Sequence, residues 1–348
     1  MKTPHILIIR FSAIGDVAMA VPVVYSLATQ YPHVRITVLS KGFARPFFEG
    51  LAPNVSFMEA DIKNEYRGMK GLNTLFRRLK AKHFTAIADF HNVLRSDYLR
   101  LRFNMDRYHV AHINKHRKGK RKLTSIKRKK LVEQPTSFQN YADVLQKLGY
   151  PVQMHFHSLF PPEGGDLHLL PPSVGTKPPG TQWIGIAPFA AHEGKIYPTP
   201  LMQKVIEQII SQRPECRIFL FGGGEKEMNI IDQWCSQYDA CTNASQKCGG
   251  LMQELILMSH LDVMVSMDSA NMHLASLTAT PVVSVWGATH PYAGFLGWNQ
   301  SMDNVVQTAL DCRPCSIYGN KPCKRGNYPC LHNIAPEEIV EKVMKNLK

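Results

Sequence analysis

Short apolar runs alternate along the chain with stretches of helical spacing. Ile6 to Ile9, Val34 to Leu39, Val55 to Met58 and Ala86 to Phe90 are compact runs of the kind that form buried strands. Helical stretches lie between and after them, at Val17–Gln30, Leu72–Lys80 and Phe138–Leu148, the last ending at Gly149 as a C-cap. Pro22 falls inside the first helical stretch and either kinks it or delays its start. The alternation then stops: residues 160–182 carry six prolines and four glycines, which reads as a linker. It resumes with strands at Trp183–Ala187, Arg217–Phe221, Val263–Ser266 and Val282–Trp286, and with helices at Leu201–Gln212 and from Asp268 to Leu277. Strands separated by helices predict an α/β protein with a parallel sheet in each half. The expected division is a domain over 1–160, a linker over 161–182, a second domain over 183–335 and a C-terminal helix over 336–348. No fixed-period repeat is present.

A chain of 348 residues with 44% hydrophobic and 20% charged positions supports two cores and excludes collagen, coiled coil and wholesale disorder. The longest apolar run, Val17 to Tyr25, is interrupted by Pro22 and is far shorter than the ~20 residues of a spanning helix. The opening MKTPHILIIRF lacks a signal-peptide core, so the expected compartment is the cytoplasm. There, eight cysteines are expected to stay as thiols. The formal charge of +14 is concentrated: ten of the 41 basic residues lie in Lys115–Lys130, which holds no acid. Such a block implies a localised anionic partner or a solvated loop. It has no aromatic residue on which bases would stack, so nucleic acid is not the expected partner.

Ligands of parallel α/β sheets bind outside the carboxyl ends of the strands. That rule selects Ser12–Asp16, Phe189–Lys195, Gly222–Glu227, Asp268–His273 and Gly287–His290, which a cleft between the two domains would collect. Gly222, Gly223 and Gly224 remove side chains where a ligand would approach the backbone closely. Glu225 or Glu227 is placed to accept hydrogen bonds from ribose hydroxyls. Asp268, Ser269 and Ala270 open a helix whose first amides suit phosphate, with His273 one turn further on. Lys195 supplies a mobile point charge for a diphosphate. Asp16 is either an N-cap or first-turn acid, or a general base for a hydroxyl. The turn Phe11–Asp16 is not G-x-G-x-x-G, which counts against a nicotinamide enzyme.

The segments ILIIRFSAIGDVAMAVPVV, HEGKIYP, FGGGEKE and MDSANMHLASLTATPVVSVWGATHP together resemble glycosyltransferase family 9, the heptosyltransferases of lipopolysaccharide inner-core assembly. The resemblance implies a GT-B fold: two Rossmann-like domains with parallel sheets facing across a cleft. It implies transfer of a heptose, with inversion and without a metal or other cofactor, from ADP-L-glycero-D-manno-heptose to Kdo or heptose of a lipid-linked acceptor. Asp16 then matches the catalytic base and Lys195 the cation that neutralises the departing diphosphate. Glu225, or Glu227 under a shifted alignment, matches the ribose-binding acid, Gly222 and Gly223 its turn, and Asp268, Ser269, Ala270 and His273 the donor-binding block. The family's glycine after D-[ST] is Ala270 in this chain, and Ala190 and Ala191 stand where hydroxyls are common.

On the acceptor side, Ser12 and the segment Ala88–Ser96 are the matching elements, with Arg95 placed to contact an acidic sugar or phosphate. Within the family frame, Lys115–Lys130 faces anionic headgroups, placing the enzyme peripherally on the inner face of the inner membrane. The cysteines Cys312, Cys315, Cys323 and Cys330 lack the second CxxC of a zinc ribbon, and a structural role is favoured over a catalytic one. The competing reading, motivated by Ala190, Ala191 and Ala270, is a family member altered in catalysis. It would bind an anionic nucleotide or a membrane-surface ligand, or transfer a different sugar.

Overall fold

A computed structural model describes residues 3–347; residue 348, at the end of the expected C-terminal helix, lies outside the described residues. The chain divides into two compact units, 1–115 with 135–159, and 116–134 with 160–348. The later change of unit falls at 159/160, beside the expected boundary, but the segment 116–134 packs with the later half.

The first unit holds a five-stranded sheet of order β3-β2-β1-β4-β5, with β1 His5–Ile9, β2 Arg35–Ser40, β3 Val55–Glu59, β4 Ala86–Asp89 and β5 His109–His112. All pairings are parallel. β1 is wholly buried because neighbours flank it and helices cover both faces, and its composition, HILII, shows no polar alternation. β5, HVAH, is an edge strand with two exposed histidines, and its short mixed pattern hides it in the sequence. The single helix expected over Val17–Gln30 is instead two. Ile14–Ala18 stops, and Val21–Gln30 restarts with Pro22 in its first turn, where the missing N–H costs no helical bond. One core, containing Leu7, Ile9, Leu75, Phe76, Leu99 and Phe103, lies under the sheet on the side of Gly68–Lys80 and Leu94–Met105.

The second unit holds a six-stranded parallel sheet of order β11-β10-β9-β6-β7-β8. Its strands are β6 Trp183–Ala187, β7 Arg217–Leu220, β8 Cys241–Asn243, β9 Val263–Met267, β10 Val282–Val285 and β11 Val305–Val306. Helix Thr199–Gln212 and the C-terminal helix Pro336–Asn346 pack on one face and bury Val205, Ile206, Ile339 and Val343. The Pro/Gly-rich stretch 160–182 is not a free linker: it is tied to the second unit. Ser259 Oγ accepts from the Gly165 amide at 2.9 Å, and Lys177 Nζ pairs with Asp262 at 2.8 Å.

The basic run is likewise ordered onto the second unit, with a helix at Arg117–Leu123. Lys120 Nζ sits 4.1 Å from the centre of the Phe295 ring. Lys129 Nζ donates to the carbonyls of Asp311 at 2.9 Å and Arg313 at 2.8 Å. The Gln134 amide donates to Tyr292 O at 2.9 Å.

Candidate active-site groups of the two units

In the first unit the chain leaves β1 through Arg10 and Phe11 and enters the helix Ile14–Ala18 with Asp16 at its third position. Asp16 is therefore not the N-cap; that position is Ala13. Its Oδ2 is 2.5 Å from Arg10 Nη2 and accepts from the Ala13 amide at 3.3 Å. Oδ1 makes no hydrogen bond among the described residues, and the side chain is 34% exposed. One oxygen is thus fixed, and the other is left without a hydrogen bond among the described residues. Arg10 is buried, donates to Phe90 O at 2.8 Å and lies over the ring of Tyr141, whose hydroxyl donates to the Asp16 carbonyl at 3.0 Å. Nothing in the spacing of ILIIRFSAIGD signalled that Arg10 folds back onto Asp16.

The turn after β4 is shaped by Asp89, fully buried, whose Oδ1 accepts from the amides of His91 at 2.8 Å and Asn92 at 2.9 Å. Its other oxygen pairs with Arg100 at 3.2 Å. His91 is 8% exposed and faces the Phe11 amide through Nδ1 at 3.4 Å. Burial, followed by the charges of Arg10 and Lys115, pushes its pKa down to about 3. Of the acceptor-side residues expected from sequence, Ser12 is half-buried beside Asp16 in the chain. Arg95 is exposed in the first turn of Leu94–Met105 and forms no ion pair among the described residues.

In the second unit β6 lies between β9 and β7, so the three loops that follow them share one edge. Lys195 ends a short 3₁₀ turn after β6, and its Nζ lies 3.2 Å from Oδ2 of Asp268, the residue after β9. Both side chains are largely buried, at 15% and 5% exposure. The two strongest donor-site candidates are thus an ion pair, on loops that follow the adjacent strands β6 and β9. The lysine stem runs over Gly319, whose φ is +76° and where a Cβ would fall 2.4 Å from Lys195 Cγ. Gly319 was not visible as a site residue; its loop has no sequence pattern that ties it to β6.

Helix Ala270–Leu277 begins after Ser269, whose hydroxyl does not cap it. It contacts Ser266 Oγ at 3.3 Å instead, leaving the first helical amides without a side-chain acceptor from the cap. His273 is buried one turn in. After β7, Gly222 lies against Phe189 and Ile231, and a Cβ there would come within 2.7 Å of Ile231 Cδ1. Gly223 donates to Glu227 Oε2 at 2.8 Å, so Glu227 closes the turn while Glu225, at the head of Glu225–Gln237, is exposed.

The loop after β10 is organised by Arg313, buried, which donates to the carbonyls of Trp286 at 3.1 Å and Thr289 at 3.0 Å. Cys312 and Cys315 flank it. All eight cysteines are free, and among the described residues no three His, Cys, Asp or Glu side chains are grouped closely enough to hold a metal ion. Burial pushes the Cys330 thiol up to about 11.

Two Rossmann-like units, each presenting polar groups at the carboxyl edge of a parallel sheet, make up a GT-B fold. Known structures agree. E. coli heptosyltransferase WaaC, solved with ADP, superposes with a TM-score of 0.67 at 15% identity, covering 98% of this chain and 99% of that one. The lipopolysaccharide core heptosyltransferase OpsX of Haemophilus influenzae is 23% identical over 307 residues, 86% of this chain and 83% of its own. Lipooligosaccharide heptosyltransferase 2 of Campylobacter jejuni is 22% identical over 134 residues, and that match spans 40% of its length. The family model of glycosyltransferase family 9 (heptosyltransferase) matches residues 72–324. The chain belongs to glycosyltransferase family 9.

Proposed function

We propose that the protein transfers a heptose from ADP-L-glycero-D-manno-heptose, with inversion, to a Kdo or heptose residue of a lipid-linked inner-core acceptor, without a metal. The observation that carries this reading is the half-clamped carboxylate of Asp16 in a chain of this family. Arg10 and the Ala13 amide hold Oδ2, and Oδ1 is left to receive the proton of an acceptor hydroxyl. A carboxylate is a weak base, but it suffices when the hydroxyl loses its proton late, against an oxocarbenium-like centre.

Lys195 supports the donor side. On binding, its ammonium exchanges Asp268 for the diphosphate, and Asp268 turns to a sugar hydroxyl. The uncapped start of Ala270–Leu277 adds amide dipoles for the developing charge. Gly222 and Gly223 admit the nucleotide, Glu225 binds ribose, and His273 backs the phosphate-binding turn. The methyl of Ala270 leaves these amides in place.

We further read the segment 117–132 as the face toward an anionic membrane surface. Arg117, Lys118, Arg121, Lys122, Lys127, Arg128 and Lys130 are exposed, and Ile126, Leu131 and Val132 are exposed beside them at 73%, 55% and 58%.

The test is incubation with ADP-heptose and a Kdo-bearing lipid acceptor, with the product read by mass spectrometry and its anomeric configuration by NMR. Asp16→Ala is expected to abolish transfer and keep ADP-heptose affinity. Wild-type product with retained configuration, or turnover by Asp16→Ala, contradicts the mechanism.

A further inference from the structure

Within the basic run, Lys129 is half-buried while its neighbours Arg128 and Lys130 are exposed. Its Nζ donates to three carbonyls of one turn, those of Asp311 at 2.9 Å, Arg313 at 2.8 Å and Pro314 at 3.3 Å. An ammonium carries three N–H groups, and this one turn supplies an acceptor for each. Carbonyl oxygens that converge on one point repel one another unless a cation sits between them. Lys129 therefore fixes the shape of the turn.

That turn begins a strap, residues 311–319, that crosses the loops after β10 and β6. Arg313 is 5% exposed and donates to Gly287 O at 2.5 Å. The amides of Cys315 and Ser316 donate to Ala288 O at 3.1 Å and 3.2 Å. The Ala288 amide in turn donates at 2.8 Å to the carbonyl of Gly194, the residue before Lys195. At the far end, the buried Ser316 Oγ accepts from the Gly319 amide at 2.9 Å, and Gly319 lies against the Lys195 stem. The strap thus joins Lys129 to Lys195 through contacts that all lie within the second unit.

A lysine stem is flexible, so the place of its ammonium depends on what walls the stem. Asp268 holds the tip of Lys195 at 3.2 Å. Once a diphosphate takes the place of that carboxylate, the wall formed by the strap still holds the stem. We propose that Lys129 is a positioning residue for the donor: by fixing the 311–319 strap it keeps Lys195 aimed at the diphosphate. This rests on the assignment of Lys195 to the diphosphate made above. One cation of the basic run thus serves the donor half, apart from any charge the run offers a membrane.

The experiment uses the full-length protein and compares wild type with Lys129→Gln, Lys129→Arg, Ser316→Ala and the Lys129→Gln/Ser316→Ala pair. Lys345→Gln, which removes an exposed cation from the last turn of the C-terminal helix, is the control for net charge. One readout is Kd for ADP by calorimetry. The other is the rate at which acetic anhydride acetylates Lys195 without ADP, followed by peptide mass spectrometry. Lys177 is the internal reference, since it also pairs with an acid of this unit, Asp262, at 2.8 Å.

Lys129→Gln and Ser316→Ala are each expected to raise ADP Kd about 10-fold and Lys195 acetylation about 5-fold, with Lys177 unchanged. Arginine at position 129 is expected to restore most of the loss, and Lys345→Gln to stay within about 2-fold of wild type. Because both changes act through one strap, the pair is expected to fall within about 3-fold of the stronger single variant.

The assignment is overturned if either readout keeps its wild-type value in Lys129→Gln. It is also overturned if Lys345→Gln loses as much, if Lys177 labelling rises together with Lys195, or if the effects in the pair multiply. A wild type that binds no ADP, or a Lys195→Ala variant that binds it equally well, overturns the diphosphate reading instead. The acetylation rates then still decide whether Lys129 holds Lys195.

Discussion

Arg10 Nη2 stands 2.5 Å from Asp16 Oδ2, and the guanidinium that makes this contact is itself locked by the Phe90 carbonyl and the Tyr141 ring. The orientation of the carboxylate is therefore set by the strand β1 and the turn after β4, not by the short helix on which it rides. A long arginine in a fixed channel acts as a strut between two strand ends.

Replacing Arg10 by Met keeps most of the buried volume and removes the strut. The Phe90 carbonyl loses its donor and Asp16 its clamp, so stability is expected to fall by about 1–3 kcal/mol. Lowered kcat with nearly unchanged KM for both substrates is the expected kinetic signature, measured under initial-rate conditions with the unfolding midpoint recorded alongside. Equal activity in Arg10→Met contradicts the strut.

Gly319→Ala tests how Lys195 is held. The added methyl overlaps the lysine stem and also occupies a left-handed backbone position that alanine adopts at a cost of about 1 kcal/mol. The ammonium is displaced from Asp268, and ADP affinity by calorimetry is expected to drop about 10-fold. Lys195→Ala is expected to drop it at least as far. Intact ADP binding in Gly319→Ala separates Lys195 from the diphosphate.

Acid should destabilise the protein through two imidazoles, the buried His91 and the half-buried His290. Burial first, then nearby cations, lowers His91 to about 3 and His290 to about 4. A histidine whose folded pKa is depressed binds its proton more readily unfolded. Stability is then complete above the unfolded value near 6.5 and declines as pH falls toward the folded value, by up to about 1.4 kcal/mol per pH unit for each ring. Thermal midpoints between pH 7 and 4.5 are expected to fall less steeply in His91→Gln and in His290→Asn than in the wild type. Parallel slopes in all three proteins would show that other groups govern the acid transition.

For the basic segment, sedimentation with vesicles of phosphatidylglycerol and phosphatidylcholine is the direct measurement. Binding to the anionic vesicles and not to pure phosphatidylcholine is expected, weakening at high salt. Ile126→Ser with Leu131→Ser is expected to weaken it about 10-fold without changing net charge, since each side chain forfeits apolar burial. No preference for anionic vesicles contradicts the assignment.

Most of the fold was legible because parallel sheets are buried on both faces and their strands read as unbroken apolar runs: HILII, WIGIA and VMVSM need no alternation to be seen. What escaped was short and at an edge, β5, β8 and β11, where few residues are buried and polar ones intrude. The same contrast divides the candidate site. Asp16, Lys195 and Asp268 follow apolar runs and could be located by strand ends alone. The Lys195–Asp268 contact needed strand order, which a sequence does not print. Arg10 and Gly319 act through three-dimensional neighbours, and each looks ordinary where it stands in the chain.

The detour of residues 116–134 into the second unit has a consequence for biosynthesis. Lys129 must wait for carbonyl partners up to 185 positions further along. At translation rates of about 5–20 residues per second, that is ~10–40 s during which a strongly cationic ribbon, flanked by a first unit already able to collapse, has no place to dock. A nascent chain in that interval is expected to be the species most exposed to proteases and to polyanion capture, including by the ribosome that makes it.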